Sequence, residues 1–196
     1  MKSQILAQIV NEWTPGLTKE KQIVALFEKV RDIPYGTIGS RDPLEVYNCN
    51  TGTCSGKHEL LKSLYHEIGM ETKDYVAMHR FADMDIEYPN NIKAILKRSN
   101  IIDPHNFFKI NTNGKWLTVD ITWDKPLKKY GFPVNENWDG KSDMNICVIP
   151  ISISQQDDPI AFKKREIAKL SEEVQKDRLI FLDELTKWVG TLRNKQ

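Results

Sequence analysis

The sequence has little cysteine and no surplus of either charge. Three cysteines in 196 residues, Cys49, Cys54 and Cys147, are too few and odd in number to staple a chain of this length. They are expected to be free thiols in a reducing compartment, with the cytoplasm as the predicted location. Lys and Arg number 28 against 27 Asp and Glu, a formal net charge of +1. That balance offers no electrostatic footprint for nucleic acid or an anionic membrane, and neither is expected as a partner. No stretch approaches the roughly eighteen consecutive apolar residues that a membrane span needs. Residues Met1 to Asn11 are interrupted by polar side chains and lack the apolar core of a secretory signal. With 10 Gly and 9 Pro there is no low-complexity tract. No internal repeat or linker divides the chain, so one domain is expected over residues 1–196.

What is present is the make-up of a folded globular protein, 40% hydrophobic and 28% charged. Residues 1–33 read as helical with a break at Thr14-Pro15-Gly16. Beyond it Ile23, Leu26, Phe27 and Val30 share one face, with Thr18 as N-cap and Pro34 beyond the end. Residues 34–53 read as irregular, with a short helix near 43–47. A second helix is predicted from Cys54 to Ile68, burying Leu60, Leu61, Leu64 and Ile68, with Gly69 as its left-handed cap. Strands are expected at 75–78, across a hairpin at 105–122, and at 145–150, with a short helix at 92–98. Two helical segments fill 158–193. Helices, then strands, then helices without regular βαβ alternation make an α+β class.

Asn113-Gly114 is the strongest local signal, because both residues tolerate the positive φ of a two-residue hairpin turn. In that register Thr112 faces Lys115 and Phe107 lies opposite Asp120. His105, two residues before Phe107, shares the face of Asp120 and lies diagonally across from it. Phe108, Ile110, Leu117, Val119 and Ile121 form the opposite, apolar face. A carboxylate beside an imidazole fixes its tautomer and leaves the other nitrogen free to move a proton. A thiol at Cys54 would complete the set. It sits in the small-residue turn Gly52-Thr53-Cys54-Ser55-Gly56, directly ahead of a helix. Unpaired N–H groups and the positive helix end favour a thiolate there and can hold an oxyanion. The flanking glycines would admit a substrate backbone.

These residues resemble the transglutaminase-like superfamily, and bacterial members in particular. The resemblance rests on Cys54 opening a helix, His105-Asn106-Phe107 on a strand, the Asn-Gly turn with Trp116, and Val119-Asp120-Ile121-Thr122; Val30-Arg31-Asp32-Ile33-Pro34-Tyr35 resembles the segment that precedes the catalytic region. It spans about residues 20–124, leaving the helices at 158–193 as an extension. It implies a papain-like core, with the cysteine helix packed on an antiparallel sheet and Cys54, His105 and Asp120 as nucleophile, base and orienting acid. It also implies an upstream side chain completing the oxyanion hole, for which Asn48 and Asn50 are both available. Eukaryotic crosslinkers have Trp directly after the cysteine, where this chain has Ser55.

The expected chemistry is acyl transfer through a thioester at a peptide or protein amide, with water as acceptor, hence a cysteine peptidase or amidase needing no cofactor or metal. Three other readings share these residues: a non-catalytic peptide-binding module, a protein transglutaminase, and an acetyltransferase fed by an acyl thioester. Several residues have plainer roles. Cys49 and Cys147 read as structural, Cys147 within a buried strand. The spacing of Cys49, Cys54, His58 and His66 matches no common zinc pattern. His58, four residues after Cys54, lacks an orienting carboxylate; His66 and His79 read as surface or rim. Asp124 continues the strand of Asp120 but falls beyond its partner. Trp116 and Trp123 are candidates for a substrate groove, although core and rim packing is the favoured reading for them, as it is for Trp138 and Tyr130. The charged run from Lys163 reads as a solvated helix face.

Overall fold

The sheet grows outward from the Asn113-Gly114 turn. Both residues have positive φ, +53° and +85°, as the predicted turn demands. The computed structural model describes residues 2–193. The strands joined by the turn are β2 (Ile102–Thr112) and β3 (Lys115–Val119), in the expected register of Thr112 opposite Lys115 and Phe108 opposite Val119. β1 (Thr72–Arg80) pairs with the other side of β2, and β4 (Pro150–Gln155) with β1, giving an antiparallel sheet of order β3-β2-β1-β4. Among the described residues seven α-helices accompany it: α1 (Lys2–Trp13), α2 (Lys19–Arg31), α3 (Pro43–Cys49), α4 (Cys54–Glu67), α5 (Asn90–Arg98), α6 (Pro159–Ala168) and α7 (Glu172–Arg193). The class is α+β, with helices added at both ends of the chain.

Strand alternation divides the interior. Phe108, Ile110, Leu117, Val119 and Ile121 point into a cluster with Leu26, Phe27 and Val30 of α2 and Leu60, Leu61 and Leu64 of α4. Ala77 and Phe107 belong to a second cluster with Ile92 of α5 and Phe181, Leu185 and Val189 of α7. The first cluster holds the cysteine helix against the sheet; the second brings α7 over the same molecule.

The strand expected at 145–150 forms later, at Pro150–Gln155. The backbone of the earlier segment is committed elsewhere. Asn145 N–H donates to Asn135 Oδ1, Cys147 N–H donates to Asp120 Oδ2, and the Cys147 carbonyl accepts from Trp123 Nε1. A segment satisfied by side chains has no free groups for a ladder. Cys147 is buried as expected, in a loop.

Candidate active site

α4 begins at Cys54 because of how its approach is anchored. Gly52 exchanges backbone hydrogen bonds with Pro34 and Gly36, at 3.1 and 3.2 Å, fixing the loop beside Tyr35. Asp42 caps α3 through the N–H groups of Leu44 and Glu45, and Asn50 ends it in the left-handed region. Val46 of α3 then packs on the start of α4. A Cβ on Gly52 would lie 3.0 Å from Val46 Cγ1, and one on Gly56 2.9 Å from Val46 Cγ2. These glycines make room for Val46, and neither lines the cleft onto which Cys54 opens. Lys57, fully buried, donates to the carbonyls of Arg31 and Thr122 at 2.7 and 3.1 Å, tying α2 and the strand after β3 to α4. Burial strips its ammonium of water and brings its pKa down to about 8.

His105 and Asp120 meet as the hairpin register requires. His105 Nε2 lies 2.6 Å from Asp120 Oδ2, and both side chains are buried. Asp120 is held from every side. Its Oδ2 also accepts from Cys147 N–H at 2.8 Å, and its Oδ1 accepts from the Thr122 hydroxyl at 2.7 Å and the Thr122 N–H at 3.2 Å. Burial alone would push this carboxyl up. His105, and then His58, whose Nε2 lies 3.4 Å from Oδ1, outweigh it and hold the group well below the usual carboxylate range.

With Nε2 engaged, the nitrogen left to interact with Cys54 is Nδ1. Burial disfavours the His105 cation, but Asp120 and then the Cys54 sulfur overcome it and raise the imidazole to about 10. At Cys54, burial likewise disfavours the charged form; Lys163 and then His105 outweigh it and bring the thiol down to about 5. Both shifts favour a thiolate beside an imidazolium. No side chain caps the start of α4, so its first N–H groups stay available beside the sulfur.

His58 does not pair with the sulfur. Its Nδ1 donates to the Cys54 carbonyl at 2.6 Å, and its Nε2 lies 3.1 Å from the Ile121 nitrogen and 3.4 Å from Asp120 Oδ1, so the carboxylate it was expected to lack is the one that also holds His105. It therefore braces Cys54 against the segment carrying Asp120. Asp124 is also buried, and it accepts from Tyr35 N–H at 2.9 Å and from Arg193 Nε at 2.7 Å, away from His105.

Cys54 opens onto a cleft of about 280 Å³, walled by Tyr35, the 37–41 loop, and Leu179, Leu182 and Thr186 of α7. Neither tryptophan proposed from the sequence lines it. Trp116 sits far along the hairpin under the Lys73 ammonium, 4.2 Å from its ring. Trp123 is buried behind the wall, 4.4 Å centroid to centroid from Tyr35. Asn48 and Asn50 are exposed on α3 and its cap, outside the lining.

Two residues read from the sequence as surface groups are interior. His79 is 1% exposed, packed edge-on against Phe81 and 6.0 Å from the His105 ring. Its strand places it opposite Asp103, and period-two alternation from Ala77 could have marked it as inward-facing. Lys163 is 6% exposed, and its Nζ donates to Ser55 Oγ at 2.9 Å. Its four-residue run of charge concealed it, and no short-range signal connects it to a residue 108 positions away. Among the described residues no three His, Cys, Asp or Glu side chains converge as a metal site. No helix among them is long and apolar enough to cross a membrane.

The sequence matches no protein-family model, and no curated protein matches it. In three dimensions the chain is similar to a protein of Cytophaga hutchinsonii described as a candidate cysteine protease, with a TM-score of 0.46 and 13% identity over 78% of this chain and 42% of that one. It is also similar to a structure described as a TGase, with a TM-score of 0.41 and 13% identity over 66% of this chain and 34% of that one. The chain spans less than half the length of either neighbour.

Proposed function

We propose that this protein is a thiol-dependent acyl-transfer enzyme that hydrolyses an amide through a thioester on Cys54. One observation carries the reading: a buried carboxylate, Asp120, holds His105 by Nε2 at 2.6 Å and leaves the opposite nitrogen to a cysteine at a helix N-terminus. In the resting state Cys54 is a thiolate and His105 an imidazolium. The sulfur attacks the amide carbonyl, forming an S–C bond and placing the carbonyl electron pair on oxygen. The first N–H groups of α4 stabilise that oxyanion. His105 Nδ1 gives its proton to the leaving nitrogen, the C–N bond breaks, and an amine departs from a thioester. Water then attacks the thioester while His105 takes its proton. Collapse breaks the S–C bond, releases a carboxylic acid and restores the ion pair. Asp120 touches no reacting atom; it orients the imidazole and stabilises its cation.

An amine in place of water would make the same chemistry a transfer reaction. Hydrolysis is preferred because the cleft needs no second substrate site to carry it out. Thiol reactivity provides the test. At about pH 6, iodoacetamide should alkylate Cys54 at least about tenfold faster than the exposed Cys49, and His105→Ala should abolish that excess. Equal, slow labelling of both cysteines in the unsubstituted protein would instead support a binding module without catalysis.

A further inference from the structure

We propose that the cleft beside Cys54 selects acyl donors carrying a carboxylate next to the scissile carbonyl, and that Lys163 receives that carboxylate. This rests on the acyl-transfer reading above and specifies its substrate class. Lys163 comes from α6, is 6% exposed, and reaches the mouth of α4 to donate to Ser55 Oγ. Ser55 Oγ lies 3.9 Å from Cys54 Sγ. An ammonium has three N–H bonds. Among the described residues Ser55 is its hydrogen-bond partner, and no carboxylate lies at ion-pair distance.

A cation taken out of water without an acidic partner is costly. The acids on the cleft wall are already engaged, Asp103 with Arg178 and Asp183 with Lys187. Arg41, exposed at the rim, has no ion pair among the described residues. No carboxylate of the cleft is thus left for Lys163, deep beside Cys54, or for Arg41 at the entrance, and among the described residues the Cys54 sulfur is the one group that can answer the buried ammonium.

In the resting enzyme the thiolate answers the Lys163 charge. Acylation removes that answer, because the sulfur becomes a neutral thioester sulfur while His105 passes its proton to the departing amine. A carboxylate on the acyl group would take the remaining Lys163 N–H bonds and stay in place through both half-reactions. An apolar group there would leave the ammonium buried and unpaired, which discriminates against it.

Iodoacetate and iodoacetamide test this directly, since they differ only in carboxylate against amide. With either reagent the sulfur forms one S–C bond, one C–I bond breaks and iodide leaves. The ratio of the two rates cancels the thiolate fraction, and Cys49 in the same molecule provides the reference ratio. At about pH 8 the iodoacetate preference at Cys54 should exceed that at Cys49 by about tenfold or more. Lys163→Gln, which retains a donor for Ser55, should lower it at least about fivefold, the remainder being attraction to the His105 imidazolium, whereas Lys163→Arg should keep most of it. Arg41→Gln alters only an exposed side chain and should lower the ratio about two- to threefold. A Cys54 ratio no higher than that of Cys49, or one that a folded Lys163→Gln variant leaves unchanged, overturns the proposal. If Lys163→Gln does not fold, the unsubstituted protein and Arg41→Gln decide it. Rapid iodoacetamide labelling with a flat ratio removes only the carboxylate preference; slow labelling of Cys54 by both reagents removes the acyl-transfer reading itself.

Discussion

In the proposed site half-buried Cys54 and buried His105 hold opposite charges because each supplies what the other needs, and that coupling sets the response to pH. The thiol falls from its ordinary 9.0 to about 5, and the imidazole rises from 6.5 to about 10. Activity should therefore rise as pH passes about 5 and fall as it passes about 10, with apparent values belonging to the pair. Stability follows the same linkage. A depressed Cys54 contributes stability present above 9.0 and lost as pH falls towards 5. A raised His105 contributes stability present below 6.5 and lost as pH climbs to 10. Unfolding free energy should thus rise from about pH 5 to 6.5 and level off between about 6.5 and 8, where the two slopes oppose, as denaturant titrations over that range would show; above about 8 the lowered Lys57 adds an opposing slope of its own. Asp120→Asn keeps the shape and removes the charge, so iodoacetamide labelling of Cys54 at about pH 6 should slow by about a hundredfold. Unchanged labelling would mean that Asp120 does not sustain the ion pair. Much of this pair was legible in the chain, because a two-residue turn ties His105 to Asp120 within 15 positions. Lys163 was not, because burial of a lysine depends on distant partners and leaves no trace in its neighbours' pattern.

The elements owe their positions to a few contacts that substitutions can test. Gly56 sits in the first turn of α4, where alanine would gain about 1 kcal/mol in helix propensity. Its Cβ would press on Val46, fully buried and unable to move away, at a cost of about 1–3 kcal/mol. Gly56→Ala should therefore destabilise the protein to denaturant by up to about 2 kcal/mol, and adding Val46→Ala should cost less than the two single changes together. A Gly56→Ala variant more stable than the parent would show that α3 does not constrain the start of α4. Hydrophobic period and turn chemistry reveal α2, α4 and the hairpin, since each carries its own apolar face or turn residues. β4 eludes that reading. Its Ile151 and Ile153 face solvent at 49% and 48% exposure, while the more apolar 145–149 segment is drawn into loop contacts with Asp120, Asn135 and Trp123.

Across the whole molecule, the segment bearing the nucleophile and the far end of the chain form one unit. Arg193, at the end of α7, donates to buried Asp124, which in turn holds the N–H of Tyr35 on the cleft wall. Arg193→Met would strand that carboxylate, and thermal or denaturant unfolding should report a loss of about 3 kcal/mol or more. No loss would imply that α7 rests on its apolar face alone. The cleft itself could not be read from the core motif. Its walls come from the 37–41 loop and α7, brought to Cys54 by tertiary packing rather than by local pattern, which is why Trp116 and Trp123 stood out in the sequence yet lie outside it. The most direct measurement of the central claim is a pH titration of thiolate ultraviolet absorbance, taken as the difference between the protein and its Cys54→Ala variant. A midpoint near about 5 is predicted, shifted upward by His105→Ala; a midpoint at about 8 or above, unmoved by that substitution, would contradict an ion pair at this site.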